Sequence, residues 1–166
     1  LEDVAALPMP RDAPVAYVTQ TTLSLDDTRE LIDALEARYP GIAGPGLDDI
    51  CYATLNRQRS TRAMARQVDL VLVVGARNSS NSNRLREVAL EQGVPAYLVQ
   101  TAADLDPAWL AGVGRVGVTA GASAPEVLVQ DVCTRLVELG AGTVRELPGL
   151  AETVKFRLPE ALQQTA

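Results

Sequence analysis

The chain has 166 residues, of which 47% are hydrophobic, with a formal net charge of -6, no histidine and two cysteines. That length predicts roughly one domain, able to bury about two thirds of its chain surface, and an acidic chain without a basic stretch argues against nucleic acid, whose phosphates select Lys and Arg patches. No apolar run approaches the ~20 residues of a membrane helix and LEDVAALPMPRDAPV has no secretory pattern, so a cytoplasmic protein is expected.

Short β-branched runs alternate with longer segments of helical period, the pattern of parallel α/β units. VAYVTQ, Val15 to Gln20, reads as a strand. SLDDTRELIDALEARYP follows as a helix capped by Ser24, with Leu31, Ile32 and Leu35 on one face and Pro40 and Gly41 ending it. GPGLDDICYATLNRQ reads as a Gly/Pro hinge leading to a strand end at Cys51, and Asn56 to Gln67 as an amphipathic helix. VDLVLVVG is almost continuously apolar, as a strand covered on both faces should be. The loop NSSNSN, a helix from Asn83 to Gln92 stopped by Gly93, and the strand VPAYLV come next. The linking segment TAADLDPAWLAGV, the strand RVGVT and the helix APEVLVQDVCTRLVELG complete the series, with Pro125 at a first-turn position after Ser123. The tail TVRELPGLAETVKFRLPEAL alternates weakly and reads as an edge strand or an arm. The fold class is therefore α/β, with parallel sheets and helices on both faces.

In open parallel sheets ligands bind beyond the carboxyl ends of the strands, where βα loops converge. Four segments are expected at that address: TQTTLS, CYATLNRQ, NSSNSN and TAGASAPE, all rich in hydroxyl or amide groups. In any one loop such residues cap the following helix; in four on one edge they also suit an anion, because Ser, Thr and Asn offer neutral donors to phosphate oxygens beside helix N-termini. Ser79, Ser80, Asn81 and Ser123 are then expected to share a ligand-sized pocket. GxxxxGK[ST] is absent, which argues against a nucleoside triphosphate. Cys51 reads either as a small buried hydrophobe or, at the same crevice, as a thiolate bound to a soft metal centre or a reactive thiol. Cys133 shares a helix face with Val129 and Leu136 and reads as core, Trp109 as a packing anchor, and Asp48 and Asp49 as a solvated turn. Two distant cysteines without CxxC spacing argue against a disulfide framework or a zinc site built by this chain alone.

Four collinear motifs, YVTQTTLSLDDT, DDICYATLNRQ, VLVVGARNSSNSNRL and GVTAGASAPEVLVQDV, closely resemble the 4-hydroxy-3-methylbut-2-enyl diphosphate reductases, iron–sulfur enzymes of isoprenoid biosynthesis, over about Leu1 to Leu162. The resemblance implies reductive dehydroxylation of an allylic alcohol diphosphate to isopentenyl and dimethylallyl diphosphate at a 4Fe-4S cluster. It makes Cys51 one of three cluster cysteines, and Ser79, Ser80 and Asn81 the diphosphate-binding Ser-Ser-Asn. Ser123 becomes a further diphosphate contact, Thr21 the catalytic threonine near the substrate hydroxyl, and Thr54 a neighbour of the cluster.

The same resemblance implies a three-lobed α/β fold of which this chain matches the later part, with residues 1–47 ending the middle lobe and 48–166 forming the last lobe and its C-terminal arm. The remaining cluster cysteines, the substrate-binding histidines and a glutamate proton donor would then lie in an N-terminal part outside the chain, and the chain alone is expected to be inactive. An electron-donor protein such as ferredoxin or flavodoxin is the implied partner. The alternative expectation is a non-catalytic or isomerase-type domain that binds a phosphorylated small molecule through the same loops.

Overall fold

The computed structural model describes residues 1–46 and 52–148. Its centre is the strand β1, Leu70–Val74, whose five side chains are all buried. β1 pairs in parallel with β2, Ala96–Val99, on one side and with β3, Val116–Ala120, on the other, in the registers Val71↔Ala96 and Leu70↔Val116, giving the order β2-β1-β3. Strand alternation sends Val71 and Val73 to one face, where they meet Met64 and Ala65 of α3 (Tyr52–Ala65) and Leu85 and Ala89 of α4 (Ser80–Glu91). Leu70, Leu72 and Val74 turn to the other face, against Leu105 and against Val132 and Leu136 of α5 (Glu126–Glu138). Helices on both faces of a parallel sheet follow directly from a strand with no polar residue. Each of these buried Val and Leu side chains contributes about 1.5–3 kcal/mol of hydrophobic stabilisation.

Before the sheet lie a short helix at Glu2–Ala6, α1, and the longer α2, Leu25–Arg38. Ser24 caps α2 by accepting from the Asp27 N–H at 3.3 Å. At the other end of α2 the Arg38 guanidinium donates to the carbonyls of Ala5 (2.8 Å) and Leu7 (2.6 Å), and the buried Tyr39 hydroxyl donates to Met9 O at 3.3 Å, so two side chains tie the N-terminal segment to the helix.

Several boundaries differ from the sequence expectation. VAYVTQ forms a single parallel bridge, Ala16↔Ala43, instead of a strand, and Val18 is 89% exposed, with no second strand beside the segment among the described residues. Leu31 is also exposed, while Ile32 is buried. α3 begins at Tyr52, four residues before the expected Asn56, and its buried face carries Thr54, Gln58 and Thr61 alongside Met64 and Ala65. CYATLNRQ is thus helical from Tyr52 onward instead of forming a loop. α4 begins at Ser80, so most of the serine and asparagine run is its first turn. The linking segment contains two short 3-10 turns, at Ala102–Asp104 and Pro107–Leu110. Trp109 does anchor packing there, with its ring stacked on Tyr97 at a centroid distance of 4.0 Å. Thr143 to Pro148 has no regular structure; the rest of the expected arm lies outside the described residues, as do Asp48, Asp49, Cys51 and the expected 47/48 boundary.

Candidate functional site

β1 leads into α4 on one face of the sheet and the adjacent β3 leads into α5 on the other, so the carboxyl ends of these two strands form the topological switch point, where open α/β sheets place their ligand crevice. Two of the four polar segments lie there: Gly75–Ser79 after β1 and Gly121–Pro125 after β3. Ser79 caps α4, its Oγ accepting from the Ser82 N–H at 3.3 Å, and Asn83 Nδ2 donates to the carbonyls of Arg77 (2.8 Å) and Ser79 (3.0 Å), fixing the loop. Helix geometry gives no intrahelical acceptor to the N–H groups of Ser80 and Asn81, which open the helix.

Asn81 is the decisive residue. It is 8% exposed, yet neither its Nδ2 nor its Oδ1 has a hydrogen-bond partner among the described residues. Its Nδ2 lies 3.7 Å from the point where a Cβ on Gly121 would stand, so the amide is turned toward the end of β3. A buried amide left unpaired costs about 1–3 kcal/mol. Part of that cost is recovered when an anion beside the helix N-terminus accepts from Nδ2.

A second concavity, a cleft of about 370 Å³, runs between the start of α2 and the side of α4 and is lined by Gln20, Thr22, Ser24, Asp27, Ser80, Arg84 and Glu87 among others. Its one guanidinium, on Arg84, is 11% exposed and is shared by Glu91 (2.8 Å), Glu87 (3.1 Å) and Asp27 (3.8 Å). With more carboxylate than guanidinium, this cleft repels an anion. The loop above it is held by Gln58, whose Nε2 donates to Leu23 O at 2.9 Å, and by an Arg62–Asp26 ion pair at 2.9 Å.

The expected site residues divide between these two places. Ser79 and Asn81 stand at the crevice, and Ser123 is exposed on the adjoining Gly121–Ala124 turn. Of the four residues expected to share one pocket, only Ser80 lines the cleft; Ser79, Asn81 and Ser123 do not. Thr21 is exposed between Gln20 and Thr22, both of which line the cleft. Thr54 is buried in α3, and Thr19, whose hydroxyl is buried without a partner among the described residues, was not singled out by the sequence. Cys133 is half-buried in α5; burial, with the Glu126 carboxylate adding, raises its thiol above the ordinary range and keeps it protonated at neutral pH. Sequence reasoning also missed Ser82, Gln58, Arg62 and Arg84. Ser82 carried a signal by lying inside NSSNSN, and Gln58 by ending CYATLNRQ.

The third loop on this edge, after β2, is closed by its own carboxylate. Asp104 accepts from the N–H groups of Gln100 and Thr101, each at 2.9 Å, and pairs with Arg77 at 3.7 Å. The Thr101 N–H is the main cause that lowers its pKa below the usual carboxylate value; burial opposes this, and the Gln100 N–H and Arg77 add to it.

The chain is a parallel α/β unit with neutral donors at the switch point of its sheet. The LytB protein family profile matches residues 1–137, and the chain belongs to that family. It is 57% identical over 162 residues to 4-hydroxy-3-methylbut-2-enyl diphosphate reductase 1 of Rhodopseudomonas palustris, covering 98% of this chain and 53% of that protein. It is 58% identical over 164 residues to the reductase of Bordetella pertussis, covering 99% and 50%. Among solved structures, the E-1-hydroxy-2-methyl-but-2-enyl-4-diphosphate reductase of Plasmodium falciparum superposes with a TM-score of 0.84 at 34% identity, covering 98% of this chain and 52% of that one. The chain spans about half the length of the curated relatives it matches.

Proposed function

We propose that this chain is the diphosphate-holding part of a 4-hydroxy-3-methylbut-2-enyl diphosphate reductase. The observation that carries the proposal is the buried, unpartnered side-chain amide of Asn81 at the mouth of α4. Asn81 Nδ2, the open N–H groups of Ser80 and Asn81, and the hydroxyls of Ser79 and Ser123 would donate to diphosphate oxygens. Neutral donors bind such an anion without a strong competing pull on other anions, and several together fix the orientation of the allylic end. Thr21 would approach the substrate's hydroxyl end from the loop before α2.

Among the described residues nothing fits an iron–sulfur cluster. No group of three or more His, Cys, Asp or Glu side chains among them could hold a metal, and the Cys133 thiol is kept protonated by burial. Cys51, the cluster ligand in this proposal, lies outside them, with its fellow ligands in a further part of the protein. The described residues therefore bind and orient; they take no step at the cluster. An electron-donor protein such as ferredoxin or flavodoxin and a cytoplasmic location belong to the same proposal. Among the described residues no helix is long and apolar enough to cross a membrane.

Isothermal titration of the chain with the allylic diphosphate tests the reading. Asn81→Ala is expected to raise Kd by roughly 10- to 100-fold, the loss of one charge-assisted hydrogen bond worth about 1.5–3 kcal/mol. Equal affinity of the two proteins would refute it.

A further inference from the structure

The serine after Asn81 lies deeper than its neighbours. Ser82 is 1% exposed, and its hydroxyl sits where the ends of two adjacent strands come closest: a Cβ on either Gly75 or Gly121 would overlap Ser82 Oγ. Those two glycines make room for one hydroxyl. Ser82 spends that hydroxyl on the residue that caps its helix, donating from Oγ to Ser79 Oγ at 3.1 Å. Ser79 Oγ accepts the Ser82 N–H as well, at 3.3 Å.

A serine hydroxyl has two acceptor lone pairs and one proton to donate. With both lone pairs occupied by Ser82, Ser79 can interact with a further group only as a donor. Ser79 is half-buried at the crevice, so its remaining O–H is free to reach a ligand. Accepting two hydrogen bonds also polarises that O–H, because linked hydrogen bonds strengthen one another in a low-dielectric site. Resting on the diphosphate reading above, we propose that Ser82 is a positioning residue: it presets Ser79 as a donor to a diphosphate oxygen, and Gly75 and Gly121 exist to admit it.

Inorganic pyrophosphate titrated calorimetrically into the chain provides the probe, read as a double-mutant cycle. Ser82→Ala keeps the Cβ and removes only the hydroxyl; it is expected to raise Kd about fivefold, the size of one lost neutral hydrogen bond. Ser79→Ala is expected to raise Kd by a similar or larger factor. In the Ser79→Ala background Ser82→Ala should change Kd by less than about twofold, since its route to the ligand is gone. Ser79→Thr restores a capping hydroxyl, and there Ser82→Ala should weaken binding again. Thermal melts of each variant report the fold separately. Unchanged affinity in Ser82→Ala, or an equal loss with and without the Ser79 hydroxyl, overturns the inference while leaving the diphosphate reading intact. If wild-type chain binds no pyrophosphate, or if Ser79→Ala and Asn81→Ala both bind it as wild type does, the reading falls and takes the inference with it.

Discussion

The loops after β1 and after β2 leave neighbouring strands at the same edge of the sheet, and they treat their polar groups in opposite ways. After β2, Asp104 folds back onto the Gln100 and Thr101 N–H groups and supplies the negative charge from within the chain. After β1, the side chain at the mouth of α4 is the neutral Asn81, buried and without a partner among the described residues. A loop that carries its own anion is finished when it folds; a loop that buries neutral donors keeps a place for an anion from outside. The two are joined, since the Arg77 N–H donates to Gln100 Oε1 at 3.2 Å and Arg77 also faces Asp104. The chain thus places its one exposed guanidinium of the β1 loop against the closed loop and leaves the open one neutral.

The strongest way to break this contrast is to make the open loop resemble the closed one. Asn81→Asp places a carboxylate in the first turn of α4, a position that favours acidic residues, so the helix should hold. The added charge should repel the diphosphate and raise its Kd by at least about 100-fold, like charges in contact costing several kcal/mol. Calorimetric titration checks it; retained affinity would show that Asn81 does not face the ligand. A smaller effect is expected on the other side of α4, in the acidic cleft. Arg84→Met leaves Glu87, Glu91 and Asp27 without their shared cation and should lower stability by about 1–2 kcal/mol, more than an exposed pair and less than a fully buried one. Diphosphate affinity should stay within about twofold, since the Arg84 guanidinium is engaged by carboxylates of the cleft and shares no partner with the donors at the crevice. A large loss of affinity with unchanged stability would place the anion in the cleft.

How much of this was legible in the sequence depends on whether apolar pattern or polar contact decides the structure. β1 could be read because five successive apolar residues have no other stable place than between two layers of helices. The start of α3 could not, because the face it buries holds Thr54, Gln58 and Thr61, and a count of apolar spacing passes over hydroxyls and amides. The start of α4 was read three residues late for a related reason: Ser and Asn are loop formers by local preference, and only the Ser79 cap turns them into a first turn. VAYVTQ was overread, since β-branched residues satisfy a strand pattern even where one bridge is all the pairing available. At the crevice the anion-suited chemistry of NSSNSN was evident, but the split between crevice and cleft was not. It depends on Arg84 meeting carboxylates from two helices and on glycines from two strand ends meeting at Ser82.

The smallest expected effect sharpens the closed side of the comparison. Asp104→Asn keeps the shape of the β2 loop and removes the charge that the Thr101 and Gln100 N–H groups stabilise; as a capping interaction it is worth about 1 kcal/mol. The sign with pH follows from the lowered pKa of Asp104. A carboxylate whose folded pKa lies below its unfolded value of about 3.9 stabilises the fold fully above that value and loses the contribution as pH falls through the folded pKa. Urea denaturation should therefore separate the two proteins by a nearly constant amount from neutrality down to about pH 5, and their curves should converge in more acidic solution. Diphosphate binding at neutral pH should be the same in both, because the asparagine's side-chain oxygen keeps the Gln100 and Thr101 N–H groups engaged. A gap that stays constant into strong acid would mean that the carboxylate's charge is not what closes the loop.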